Sequence, residues 1–540
     1  MKNKESKIKN TSPLKSSGLA DWNQTKTWLI LSLSTVVLTL IYYMVNSPRP
    51  YDDDNIGRYF MAQAAFVKPG YFLDIWGRPM AILLFSIPAQ FGYWYVASGV
   101  ALLTVMTCFF TYKAAQESGR PYAWMVVLFV FFQPLVLTTS FSLCAEPLAA
   151  FFVAIALYFY YRNKLWQAAL LFSMVPLARS ETVLILPLIA IPWLRERRWI
   201  PVLLLGTGLA VYQIAGMIST GDPLYLLTQS KAFGHGLYQN GPFEHYFQRF
   251  IFITGPVIFV FLLFQLASDI RLRKLSLLNT SVVLMFAVHV YFYWKGNVAS
   301  VGFLRHFVAV GPMIALLALD GFNRWIGFED KQKTNSVVWD AFILAALSVL
   351  ILAYYSFELV GQYFLSDKAE HLKFGTALVL FLLFILRAVL KLDGIFFKKI
   401  MITGTVILTV AYCFVKEKPL TFAPEHQTVK NCYDYYKENI RGKTPKVMIA
   451  HTWWFFFDNF NNYSKTLEEG GYENMRKEKL ADLPVGSFVI WDSHYSHRLS
   501  SNVQLREDLA GDKNFQLKQQ FLSSDQKFVI YIFEKVKQPS

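Results

Sequence analysis

The sequence predicts a polytopic α-helical membrane protein with a small C-terminal α/β domain. Three observations carry that reading. Apolar runs of about 17 to 22 residues, the length that crosses a hydrocarbon core, recur from residue 27 to residue 415. Only 16% of the 540 residues are charged, against roughly 25% in an ordinary soluble domain, and the mean hydropathy is +0.33. Beyond about residue 420 the chain turns polar and its short apolar runs become strand-like.

Each segment follows in order. Residues 1–26 are polar and carry six lysines, so the positive-inside rule predicts a cytoplasmic N-terminus. The first apolar run, 27–46, ends without a small-residue cleavage site and reads as a retained signal-anchor helix. Further spans are expected at 93–112, 122–140, 145–161, 165–178, 181–194, 199–217, 250–267, 277–294, 305–321, 337–357, 374–390 and 397–415, which makes about thirteen. Residues 79–91 are too short to span and read as the first half of a bent helix broken at Pro88. Residues 27–419 thus form one transmembrane domain.

Charge orients it. Alternate loops, "YKAAQESGR", "YRNK", "RERR", "DIRLRK", "NRWIGFEDKQK" and "KLDGIFFKK", are basic and fall on the cytoplasmic side. The net charge of +15 therefore belongs to the bilayer surface and does not call for nucleic acid. The opposite loops carry "YDDDN", "SFSLCAE", "ARSE", the long segment 218–249 and "WKGNVASVGFLRH". An odd span count puts residues 420–540 outside the cytoplasm. There "KVMIAH", "SFVIWD" and "KFVIYIFEK" read as strands, and "NMRKEKLADL" and "NVQLREDLAG" as helices. Cys108 and Cys413 sit in apolar runs, Cys144 near a helix start and Cys432 in the tail; no spacing suggests a zinc site or a disulfide framework.

The candidate chemistry clusters on the outer face. Asp52, Asp53 and Asp54 stand together where the first helix leaves the membrane. One reading has Asp54 capping a helix that begins "NIGRYF" while its neighbours face water. The other makes one of them a general base, since adjacent carboxylates raise one another's pKa. Glu146 begins an apolar helix and is followed by proline; it is either a helix-start carboxylate or a site acid. Arg179 and Glu181 flank a break between two apolar runs, as a structural pair or as a phosphate-binding guanidinium with its partner. Arg305 and His306 start another span, where snorkelling is the alternative to function. His235, His245 and Arg249 belong to the long 218–249 segment, a candidate substrate loop. Asp492 and His494, beside Trp491 and His497 after a strand, read as a polar loop near substrate rather than a metal site. No metal ligand set is assigned; no cofactor is indicated, and a divalent cation is left open. No Gly-rich nucleotide motif, HExxH or GxSxG is present.

In order, the acidic cluster after the first helix, the "AEPL" helix start, the "R-x-E-x-x-x-x-x-P" break and "LRHFVAVGPMIALLAL" resemble the GT-C glycosyltransferases, in particular bacterial mannosyltransferase-like enzymes that use polyprenyl-phosphate sugars. The likeness runs from residue 27 to 325. It implies an inverting transfer of a sugar, with mannose the first candidate, from a polyprenyl-phosphate donor to a glycan, lipid or protein acceptor on the extracytoplasmic face. It implies a bacterial inner-membrane enzyme with its C-terminal domain in the periplasm. By this resemblance the base is Asp54 or Asp53, with Asp52 third, because the family shows an Asp-Glu pair where this chain has three aspartates. Glu146 and Glu181 become second, acceptor-positioning acids, and Arg179, Arg305 and His306 the donor-phosphate side. The competing readings are a transporter or flippase of lipid-linked sugars and an O-antigen-type ligase or polymerase.

Overall fold

A computed structural model describes residues 22–232, 240–296, 302–326, 344, 347, 371–390, 394–459, 468–498 and 501–537. His235 and nearly all of the expected span 337–357 lie outside these residues.

Among the described residues five helices are long and apolar enough to cross a membrane: Thr25–Asn46, Tyr93–Glu117, Leu277–Lys295, Leu304–Ile326 and Ile395–Lys416. A sixth span arises if His245–Thr254 and Pro256–Arg271 count as one, although they meet at 117°. The described residues thus bear out five or six of the about thirteen spans expected from hydropathy as long apolar helices, while Ala145–Tyr161 and Leu165–Ala178 are shorter apolar helices at two more of the expected places. Backbone breaks divide several of the others. The run 122–140 divides into Met125–Phe131 and Pro134–Thr139, because Pro134 has no N–H to continue the ladder. The run 199–217 divides at Leu205–Gly206, and 181–194 opens with a 3-10 turn before the ten-residue helix Leu186–Arg195. The sharp bend before Pro256 uses Gly255 at φ 73°, a conformation that a side chain would strain. Pro79–Ala89 is a helix of its own, separated from Tyr93–Glu117 by a turn.

The helices pack through small residues. Tyr93–Glu117 lies against Ala145–Tyr161, which lies in turn against Leu165–Ala178. Gly311–Ile326 packs on Pro256–Arg271 so closely that a Cβ on Gly321 would meet the carbonyl oxygen of Phe261 at 2.1 Å. Such close approach is how helices gain contact where lipid offers no hydrophobic driving force. At the end of the bundle that carries the basic loops, Arg120 forks onto Asp320 at 2.8 and 2.9 Å.

After the last membrane helix comes the helix Pro424–Asn439, then a five-stranded mixed sheet: β1 (Val447–Ile449), β2 (Tyr472–Asn474), β3 (Phe488–Asp492), β4 (Phe515–Leu522) and β5 (Val529–Lys535), in spatial order β2-β1-β3-β5-β4. β1 runs parallel to both β2 and β3, whereas β5 is antiparallel to β3 and β4. The three strand-like runs form β1, β3 and β5. The two helical expectations do not hold. The run 474–483 starts on the last residue of β2, whose Glu473 meets Lys446 at 3.3 Å, and holds only the 3-10 turn Lys477–Lys479, and Leu505–Ala510 is a single π-helical turn.

Because β1 and β3 are parallel neighbours, the segments leaving their C-terminal ends emerge side by side. Those segments, 450–457 and 493–498, meet the start of the helix Asp53–Ala64 just beyond the first membrane helix.

Candidate active site

The three aspartates divide between two environments. The helix Asp53–Ala64 starts at an N-cap, and that cap is Asp52 rather than Asp54: Oδ1 of Asp52 accepts the Asn55 N–H at 3.2 Å. The Tyr51 N–H donates to Ser142 Oγ at 3.0 Å and ties this turn to the "SFSLCAE" loop.

Asp52 and Asp54 face Arg305. The 3-10 segment Leu304–Val310 ahead of the helix Gly311–Ile326 brings this arginine into the interior. Its guanidinium pairs with Asp52, reaches Asp54 Oδ2 at 2.6 Å and approaches Glu146 Oε1 with Nε at 3.4 Å. Glu146, in the first turn of Ala145–Tyr161, is only 1% exposed. The same oxygen accepts Arg179 Nη1 at 3.0 Å. Arg179 sits in extended backbone at the break after Leu165–Ala178, and its Nε donates to Glu181 Oε1 at 2.8 Å. Arg58 completes the near side, 3.9 Å from Asp54 Oδ2, while Arg78 Nη1 reaches Ser180 Oγ at 3.4 Å beside the break. Four carboxylates and four guanidiniums therefore interleave in one cluster that is buried at its arginines and at Glu146 and opens toward Asp54. A buried array of this kind persists only when nearly every charge has an opposite neighbour.

Behind Glu181 lie two histidines. His289 Nε2 is 4.0 Å from Glu181 Oε1, and the His289 and His306 rings are 5.2 Å apart. Both ring nitrogens of His289 and Nδ1 of His306 are buried without a hydrogen-bond partner. These nitrogens with Glu181 form one of two described groups whose ligand atoms lie within 4.8 Å of one another, close enough for a cation; Arg179 already holds the Glu181 oxygen. The other group is Glu425, His451 and His494. There each ring already has both nitrogens engaged. His451 Nδ1 accepts the Trp453 N–H at 3.3 Å and Nε2 meets Glu425 Oε1 at 3.0 Å. His494 Nε2 faces Arg498 and Nδ1 meets Glu425 Oε1 at 2.5 Å. That pattern satisfies the carboxylate with two N–H donors and leaves no lone pair for a metal.

Asp53 points away from Arg305, into the C-terminal region. It accepts hydrogen bonds from Trp453 Nε1 and the Tyr495 hydroxyl, and His426 Nε2 stands 3.5 Å away. Burial alone would raise its pKa; bonding to His426 and Tyr495 and the nearby His451 outweigh that and hold it well below the usual carboxylate range. A carboxylate so held is a poor proton acceptor.

The remaining expected residues lie elsewhere. Asp492 is fully buried and shapes its own turn: Oδ1 accepts the N–H groups of His494 at 2.9 Å and Tyr495 at 2.6 Å, and Oδ2 accepts Ser496 Oγ at 3.0 Å. His494 serves Glu425, and His245 bonds the Gly302 carbonyl at 2.8 Å. Arg249 donates to Gln248 Oε1 at 2.7 Å. None of these four has a described ion pair with the acid–arginine cluster. Sequence reasoning missed Arg58, Arg78, His289, Glu425, His426, His451, Trp453 and Tyr495. His289 had a signal, being an ionisable residue within an apolar run. Arg78 had one too, since it precedes a proline helix start on the outer side, much as Arg179 precedes its break.

No protein-family model and no curated protein matches the chain. Solved structures do. ArnT from Cupriavidus metallidurans, bound to undecaprenyl phosphate, superposes with a TM-score of 0.53 at 11% identity, over 94% of this chain and 98% of ArnT. The apo state of the same protein gives 0.51 at 13% identity, with the same coverage. At this identity the likeness concerns the fold, and it extends over the membrane helices and the C-terminal sheet together: the chain has a GT-C-like fold and is an integral membrane protein.

Proposed function

We propose that this protein is a membrane glycosyltransferase that moves a sugar from a polyprenyl-phosphate donor to an acceptor hydroxyl at the extracytoplasmic face. The observation that carries the reading is the meeting of Arg179 and Arg305 with Asp52, Asp54 and Glu146 in one cluster at the ends of the apolar helices. The ArnT structure bound to undecaprenyl phosphate supports a lipid-phosphate donor.

Transfer from such a donor breaks the bond between the anomeric carbon and a phosphate oxygen. Negative charge then grows on the phosphate, and Arg305 and Arg179 supply preorganised guanidiniums for it in a site where burial strengthens the interaction. Glu146 aligns both arginines for the reacting phosphate and at the same time competes with it for their charge. The acceptor hydroxyl loses its proton as it attacks the opposite face of the anomeric carbon, which inverts the configuration. Asp54 is the base. Its side chain is 35% exposed, against 18% for Asp52 and 23% for Asp53, and both of its arginine contacts fall on Oδ2. Asp52 is engaged as the helix cap.

Purified protein in lipid nanodiscs tests this. Transfer is expected from a polyprenyl-phosphate sugar, with polyprenyl-phosphate mannose the first donor to try, and not from a nucleotide sugar. Mass spectrometry of glycans and glycolipids from cells with and without the protein identifies the product. Efficient transfer from a nucleotide sugar with no lipid donor refutes the proposal.

A further inference from the structure

We propose that Asp53 is a latch by which the C-terminal region holds the three-aspartate turn in place, with Trp453 and Tyr495 as the positioning residues that grip it. The inference rests on the glycosyltransferase reading for its effect on turnover; the contact itself does not.

Three consecutive residues at a helix start cannot all point the same way. Here the outer two, Asp52 and Asp54, turn to Arg305, and the middle one turns out to Trp453 and Tyr495. Fixing Asp53 from outside therefore sets the rotation of the turn that presents Asp54.

The gripping residues are themselves braced. Trp453 is fully buried and stacked on His426 with ring centroids 4.1 Å apart and planes 22° from parallel. The Tyr495 ring lies 4.8 Å from His451 and 4.3 Å from His494, with the Arg498 guanidinium 4.4 Å from its centroid. Glu425, in the first turn of Pro424–Asn439, joins His451 to His494 from behind. Asp492 fixes the turn that carries Tyr495. The segments that carry His451, Trp453, His494 and Tyr495 leave the same end of the sheet because β1 and β3 are parallel neighbours. A second contact follows the same path: Tyr93, at the start of a membrane helix, packs edge-on against Phe456 at 5.5 Å.

The test uses the full-length protein. Trp453→Phe and Tyr495→Phe keep the rings and remove the donors to Asp53; combined, they are expected to lower kcat about tenfold with the KM for donor nearly unchanged. Asp53→Asn keeps an acceptor oxygen and should retain more activity than Asp53→Ala, the order expected for a positioning group. A general base gives the opposite signature, with both variants down by about two to four orders of magnitude. Hydrogen exchange gives a readout independent of turnover: the amides of residues 55–59 should exchange at least tenfold faster in the double variant. Unchanged exchange there overturns the latch, as does Asp53→Asn falling to the level of Asp53→Ala. If wild-type protein transfers no sugar from any lipid donor but exchange still rises, the latch stands and the glycosyltransferase reading falls.

Discussion

Replacing Glu146 by glutamine should move stability and phosphate binding in opposite directions. The side chain is 1% exposed and one oxygen serves two arginines, at 3.0 and 3.4 Å. At an effective dielectric near 20, each contact is worth roughly 5 kcal/mol of Coulomb energy, and the desolvation of the carboxylate offsets much of the sum. Uncoupling a buried pair from one side typically costs about 3 to 5 kcal/mol. Asp52, Asp54 and Glu181 remain to neutralise the arginines, so the lower end, about 3 kcal/mol, is expected here. Thermal unfolding of Glu146→Gln beside wild type in the same detergent reads this term. The two guanidiniums, having lost their shared internal carboxylate, should bind undecaprenyl phosphate about tenfold more tightly, which is roughly 1.4 kcal/mol. Added lipid phosphate should accordingly raise the unfolding temperature of the variant more than that of wild type. Turnover should fall, because the arginines lose their spacing, but by less than on loss of the base. A variant as stable as wild type, or one that binds the lipid phosphate more weakly, refutes this account of Glu146.

Asp54→Asn should reduce turnover by roughly two to four orders of magnitude while donor binding persists, whereas Asp52→Asn, which keeps the cap, should cost far less; steady-state kinetics on both variants separate them. The Glu425–His451 contact should show a pH window. Against burial, hydrogen bonds from His451 and His494 lower Glu425 to about 2, so its contribution is present above the ordinary carboxylate pKa of about 4.3 and is lost as acid approaches 2. His451 is raised, because its bond to Glu425 and the nearby Asp492 and Asp53 outweigh burial, so its contribution is complete below about 6.5 and is lost as pH rises through its folded value. Protection of the amides in 451–457, taken relative to their intrinsic exchange at each pH, should therefore be greatest between about pH 4.5 and 6.5, and His451→Gln should remove the loss of protection on the alkaline side. Gly321→Ala must push against the Phe261 carbonyl and should destabilise by about 1 to 3 kcal/mol, while Gly394→Ala, with no atom within 4 Å of its Cβ, should not; thermal unfolding distinguishes them. A periplasmic reporter fused after residue 415 should be active only outside the cytoplasm, and one in the "RERR" loop only inside, by the Lys/Arg asymmetry.

All but Arg58 and Arg78 of the acid–arginine cluster were legible because they stand at the edges of apolar runs on the same expected side. Asp52, Asp54, Glu146, Arg179, Glu181 and Arg305 needed no contact information to be suspected, and the structure brings them together. Their division of labour was not legible: that Asp52 caps and Asp53 faces outward depends on helix phase, which a run of identical residues hides. The internal breaks of the expected spans were not legible because hydropathy reports composition and is blind to backbone breaks such as Gln133–Pro134 and Gly255–Pro256. The strand at 472–474 was not read from the sequence because its pairing energy lies in β1, about 25 residues upstream. Asp53 and its partners were beyond any local pattern, since nothing near residue 53 announces Trp453 or Tyr495.

The separation in the chain between Asp53 and those partners, 400 and 442 residues, bears on how the protein is made. A ribosome delivers the chain from its N-terminal end, so the aspartate turn enters the membrane early and waits for nearly all of the remaining chain. Arg305 reaches Asp54 only 251 residues later. An insertion intermediate shorter than residue 305 consequently lacks the guanidinium that faces Asp52 and Asp54, and one shorter than residue 453 lacks both donors to Asp53. The full set of contacts around the aspartate turn is thus a property of the nearly finished polypeptide. A nonsense mutation between codons 327 and 453 should then leave an inserted protein whose arginines can still meet Asp52, Asp54 and Glu146 but whose Asp53 has neither of its donors.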